Sequence, residues 1–101
     1  MLIDTGADLS VAPRGLAERS GHDWDAGEVI HMRGVSPKPE CQVEGRVFET
    51  ELIVLPADWR LAVPVMYADA DVPLLAGRRG FLDRLHISIN GRRNTTKLTL
   101  L

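Results

Sequence analysis

The sequence predicts a mostly-β domain, a small barrel or sandwich, with one short helix near its C-terminal end. Three observations lead there. Apolar residues fall in short runs that alternate with polar ones, the two-residue period of half-buried strands. Gly, Pro, Asn and Asp punctuate those runs at short intervals, as turns between strands require. Only "RRGFLDRLH" (78–86) changes to helical spacing, with Phe81, Leu82 and Leu85 on one apolar face and Arg78, Arg79, Asp83 and Arg84 around it.

Taken in order, Leu2-Ile3 and Leu9-Ser10-Val11 are extended segments flanking a polar turn at Asp4-Thr5-Gly6. Pro13 stands at a first helical position, Gly15 to Arg19 continue for a turn or two, and Gly21 stops them. Strands follow over Glu28–Met32 and Gln42–Leu55, where "VEGRVFETELIVL" sets Val47, Phe48, Leu52 and Val54 among charged residues. Between them "RGVSPKPE" (33–40) reads as a loop or projecting hairpin tip. Leu61–Tyr67 is a further strand and Val72–Ala76 a short buried one. After the expected helix, His86–Asn90 alternates, Asn90-Gly91 signals a turn, and Lys97–Leu101 returns as the final strand.

At 101 residues and 45% hydrophobic content, the chain is one domain spanning 1–101, large enough for a modest core. A net charge of -2 without runs of like charge points to neither nucleic acid nor a membrane surface as partner. The charge is uneven, with 11 acids and 5 bases up to Asp58 and 3 acids and 7 bases after it, but the basic residues are scattered. Cys41 is alone, so no internal disulfide forms and a reducing, cytoplasmic setting is expected. His22, His31 and His86 lack zinc-site spacing with one another or with Cys41, and no metal or cofactor is expected. No apolar run approaches the ~20 residues of a membrane helix. Trp24 and Trp59 read as packing residues or loop anchors.

The opening "MLIDTGADLS" is the stretch that suggests chemistry. A carboxylate on a tight turn between apolar strands can be approached by backbone N–H groups where Gly6 lacks a side chain, and the Thr5 hydroxyl can add a fixing hydrogen bond. One carboxylate is a poor hydrolytic device, because acid and base roles must be divided between two groups. Two acids sharing a proton divide them. The chain has a single Asp-Thr-Gly, so the second acid would come from a second copy of the chain.

"LIDTGADLSV" followed downstream by "VPLLAGRRGFLDRL" resembles the retropepsin-like aspartic proteases, in particular the single-domain forms of bacteria and retroelements. The resemblance covers both signature motifs and, more loosely, nearly the whole chain. It implies a small closed barrel of the acid-protease type, lacking part of the usual N-terminal strand, so that the domain reads as N-terminally truncated. It implies an aspartic endopeptidase acting on a protein or peptide, a homodimer in which Asp4 of each chain is catalytic. Thr5 would lock the two turns together across the dimer, and Gly6 would be the close-approach position. Ala7 and Asp8 would line the substrate groove together with Gly34, Val35 and Ser36 of a flap formed by "RGVSPKPE". Leu75, Ala76, Gly77 and Arg78 would support the site, Arg78 by pairing with Asp8.

The chain departs from the family pattern in a small Ala76 where a larger aliphatic residue is usual, and in Pro37 and Pro39, which replace a flexible flap tip. A second reading has the same fold without catalysis, serving as a peptide-binding or dimerisation module. Retention of Asp4, Thr5 and Gly6 together favours the enzyme, since a binder has no physical need of a desolvated acid pair.

Overall fold

The longest alternating stretch of the sequence becomes the longest strand of the structure. The computed structural model describes residues 1–32, 43–55 and 57–101. Its elements are β1 (Leu2–Ile3), β2 (Ser10–Pro13), α1 (Arg14–Arg19), β3 (Glu28–Met32), β4 (Val43–Val54), β5 (Trp59–Ala68), β6 (Leu75–Ala76), β7 (Leu85–Asn90) and β8 (Thr95–Leu100). Single 3-10 turns lie at Trp24–Ala26 and Leu82–Arg84. The stretch 33–42, which contains the expected flap with Gly34, Val35 and Ser36, and also Cys41, lies outside the described residues.

β4 and β5 form a long antiparallel ladder from Gly45 opposite Ala68 to Val54 opposite Trp59. Its register sets Phe48, Thr50 and Leu52 beside Val65, Val63 and Leu61 on one face, because side chains alternate sides along each strand. That face joins Ala12, Ala17, Trp24, Tyr67, Ala76, Phe81, Leu82 and Leu85 in the main core, with Trp59, Ile87 and Leu98 packed against it. The opposite face carries a smaller cluster of Val11, Ala68 and Val72, covered by Ile30, Met66, Ala70 and Leu75. Within the main core, Thr50 Oγ1 links the hydroxyl of Tyr67 at 2.8 Å to His22 Nε2 at 3.0 Å. The His22 ring stacks on Phe48 at 4.6 Å.

The helix α1 is short, and Gly21 ends it at φ 81°, a left-handed backbone that glycine adopts without a Cβ penalty. Tertiary contacts hold it: Ala17 is fully buried, and Arg14 reaches Glu18, Asp69 and the face of Trp24, 4.5 Å from the ring centre. The hydrogen bond that Arg14 donates to Glu18, and the charge of Asp69, raise the Arg14 pKa above its ordinary value.

Two expectations are corrected. The sheet is open, not a closed barrel: six strands run in the order β1-β6-β2-β5-β4-β3, and β7 with β8 forms a separate two-stranded sheet. Closure needs edge strands that pair with one another. Here β1 offers two residues at one edge, β3 stands at the other, and the β7–β8 hairpin satisfies its own ladder. The hairpin lays Leu85, Ile87 and Leu98 on the core and gives no backbone to the six-stranded sheet. The second correction concerns the C-terminal helix. The apolar spacing of Phe81, Leu82 and Leu85 is met by a single 3-10 turn that buries all three, and Leu85 already begins β7. Gly80 N–H donates to Asp83 Oδ2 at 3.1 Å, which tightens that turn locally. Among the described residues the α-helix is α1, and no helix is long and apolar enough to cross a membrane.

Thr50 is the shared partner in the His22–Tyr67 relay, so Thr50→Val should leave the buried Tyr67 hydroxyl unpaired. The expected cost is ~1–3 kcal/mol, read as a Tm fall of roughly 5–20 °C by calorimetry. Thr50→Val combined with Tyr67→Phe should recover part of that loss, and a double mutant no more stable than Thr50→Val would contradict the relay.

Candidate active site

The candidate site is built where one loop is threaded by a distant segment. The loop is the connection 4–9 between β1 and β2, and the segment is 74–79. β6 runs parallel to β1, with Leu2 opposite Leu75 and Ile3 opposite Ala76, and antiparallel to β2, with Val11 opposite Leu75. Backbone hydrogen bonds extend the contact on both sides. Leu2 N–H donates to the Leu74 carbonyl at 2.9 Å and Asp4 N–H to that of Ala76 at 3.0 Å. Arg78 and Arg79 donate in turn to the carbonyls of Ala7 and Asp8, at 3.0 and 2.8 Å.

Gly77 lies at the centre of this crossing. A Cβ on it would run into the Leu9 carbonyl group and lie 2.6 Å from the Ser10 nitrogen, so only a hydrogen fits between the two backbones. Its own N–H donates to Ser10 Oγ at 2.9 Å in a buried position. Ser10 is fully buried, so its hydroxyl is the internal partner that this amide requires. Leu75 and Ala76 pack into the two clusters on either side, and the small Ala76 is 1% exposed, filled in by the main core.

Asp4 is half-buried on the turn that these contacts hold. Its Oδ1 accepts the Gly6 N–H at 3.0 Å, and its carbonyl accepts that of Ala7 at 3.1 Å, which closes the turn. Thr5 and Gly6 are exposed beside it and Ala7 is half-buried. Among the described residues no cation pairs with Asp4, and no three His, Cys, Asp or Glu side chains converge as a metal site would need. One chain therefore presents one oriented carboxylate, whose Oδ2 has no hydrogen-bond partner among the described residues.

The partner of Asp8 is Arg79, not Arg78. Arg79 Nη2 donates to Asp8 Oδ2, and its amide holds the Asp8 carbonyl, so the two residues meet twice. Both side chains are more than half exposed, at 60% and 56%, so the ion pair adds little to stability and serves to fix position. Arg78 supports the loop through its backbone. The tandem Arg-Arg could not be resolved by sequence because the two are adjacent residues of identical chemistry. Ser10 was also missed as a site residue; its signal was a small hydroxyl residue at an otherwise apolar strand position.

Two apolar concavities of about 360 and 290 Å³ share Val54, Leu55 and Leu98 in their linings, and neither includes Asp4. No family model matches the chain, and no curated protein or solved structure matches it either.

Two substitutions probe the crossing. Ser10→Ala should orphan the buried Gly77 N–H and cost ~1–3 kcal/mol in denaturant unfolding. Gly77→Ala should cost ~1–3 kcal/mol or more, because the obstacle is backbone and cannot swing aside. Both would be contradicted by wild-type stability.

Proposed function

We propose that the chain is one half of a homodimeric aspartic endopeptidase that cleaves a peptide bond in a protein or peptide substrate. The observation that carries this reading is the threaded loop. A carboxylate is fixed on a tight turn, and a remote apolar-apolar-Gly segment, Leu75-Ala76-Gly77, clamps that turn from behind. These are the two segments on which the resemblance to retropepsin-like proteases rests.

The chemistry follows from pairing. Asp4 from each of two copies would meet across a two-fold axis, and two carboxylates so close hold one proton between them. The ionised member takes a proton from a bound water as it attacks the peptide carbonyl. The protonated member donates its proton to the carbonyl oxygen on which charge develops. Collapse of the tetrahedral adduct then breaks the C–N bond, as the proton taken from water passes to the leaving nitrogen and the adduct's hydroxyl proton returns to the dyad. The Gly6 N–H on Asp4 Oδ1 restrains the carboxylate in the orientation this needs. Ala7 and Asp8 continue from the turn as the wall along which a substrate strand would lie.

Purified protein incubated with an unstructured peptide library from about pH 4 to 7 should cleave at a rate that rises more steeply than linearly with protein concentration. Asp4→Asn should remove at least ~1000-fold of that rate while keeping the fold. A folded, dimeric wild-type protein without cleavage would overturn the enzyme reading and leave a peptide-binding or dimerisation module.

A further inference from the structure

We propose that Arg78 selects acidic residues in the substrate peptide, an inference that rests on the protease reading of the Asp4 turn. Arg79 is tied to Asp8 by side chain and backbone, so the two charges cancel at the floor of the loop. Arg78 stands one residue nearer the crossing. Its amide donates to the Ala7 carbonyl at 3.0 Å, and its own carbonyl accepts the N–H groups of Phe81 at 3.2 Å and Asp83 at 2.9 Å. The backbone of Arg78 is therefore held on both sides.

Its side chain is exposed, and among the described residues no carboxylate lies within ion-pairing distance. The result is a guanidinium on a fixed backbone, without a carboxylate partner among the described residues, beside the stretch that leads away from the candidate catalytic acid. A guanidinium offers a planar fork that takes a carboxylate by two parallel hydrogen bonds, a geometry an amide or ammonium does not match. Because Asp8 is already paired with Arg79, it does not occupy that fork. A Glu or Asp side chain of the bound peptide fits the vacancy in charge and in shape.

The experiment compares matched peptides carrying Glu, Gln or Lys at single positions on either side of the cleaved bond. Wild type should favour Glu over Gln by ~10-fold in kcat/KM at one position, with Lys below both. The ratio should shrink as salt is raised through the range where exposed charges are screened. Arg78→Gln should bring the Glu-to-Gln ratio near one, and Arg78→Lys should keep part of it. In parallel, fluorescent Glu and Gln peptides are titrated into Asp4→Asn and into Asp4→Asn with Arg78→Gln, which needs no turnover. Cleavage with the same ratio in wild type and Arg78→Gln overturns the role of Arg78 and leaves the protease reading standing. Loss of dimer without a change in the ratio also overturns it, by assigning Arg78 to the contact between copies. Arg78-dependent preference for Glu in binding, without cleavage, supports Arg78 and overturns the protease. No preference in either measurement overturns the inference.

Discussion

The close approach of Gly77 to the Leu9–Ser10 backbone is the constraint on which the rest of the site depends. Two strands of backbone pass with no side chain between them, and the Gly77 amide is satisfied by Ser10 Oγ in the same place. With that contact in place, the flanking amides of Asp4, Arg78 and Arg79 fall opposite the carbonyls of Ala76, Ala7 and Asp8. The carboxylate of Asp4 is thereby presented by a loop that has little regular structure of its own but is hydrogen-bonded on both sides. A buried, satisfied polar contact of this kind carries more free energy than the exposed Asp8–Arg79 pair, whose charges water and salt screen.

The main sheet gives the crossing its rigidity. β2, the downstream arm of the loop, pairs in parallel with β5 from Ser10 opposite Val65 to Pro13 opposite Ala68. β5 in turn contributes five buried residues, with Val63 and Ala68 at 0% exposure. The acid-bearing turn therefore hangs between a weak edge strand of two residues and a strong central one. Such an arrangement leaves the Asp4 side of the loop open to a partner while the Ser10 side stays anchored.

Much of this was legible in the sequence. β3 falls on Glu28–Met32 as its apolar pattern indicated, Gly21 ends the helix that Pro13 precedes, and Asn90-Gly91 marks the end of β7, where the turn 91–94 leads into β8. Those features are local, set by turn chemistry and side-chain period. Closure of the sheet was not legible, because the pairing of two edges is a long-range property and strand alternation is the same in an open sheet and a barrel. Phe81, Leu82 and Leu85 misled for a related reason: three apolar residues suit one helical face, but a single tight turn buries them equally well. The choice between Arg78 and Arg79 for Asp8 turned on one residue of register, which neighbouring identical side chains cannot reveal.

The central claim, that segment 74–79 and the Asp4 loop form one clamped unit, is tested most directly by residue-resolved amide hydrogen exchange. The clamp predicts that the Gly77 amide exchanges only through global opening, with Asp4 and Arg78 protected alongside it, while amides of the exposed turn after Asn90 exchange freely. Exchange of Gly77 and Asp4 as fast as in that turn would contradict the account, because the acid would then sit on a loop that nothing holds.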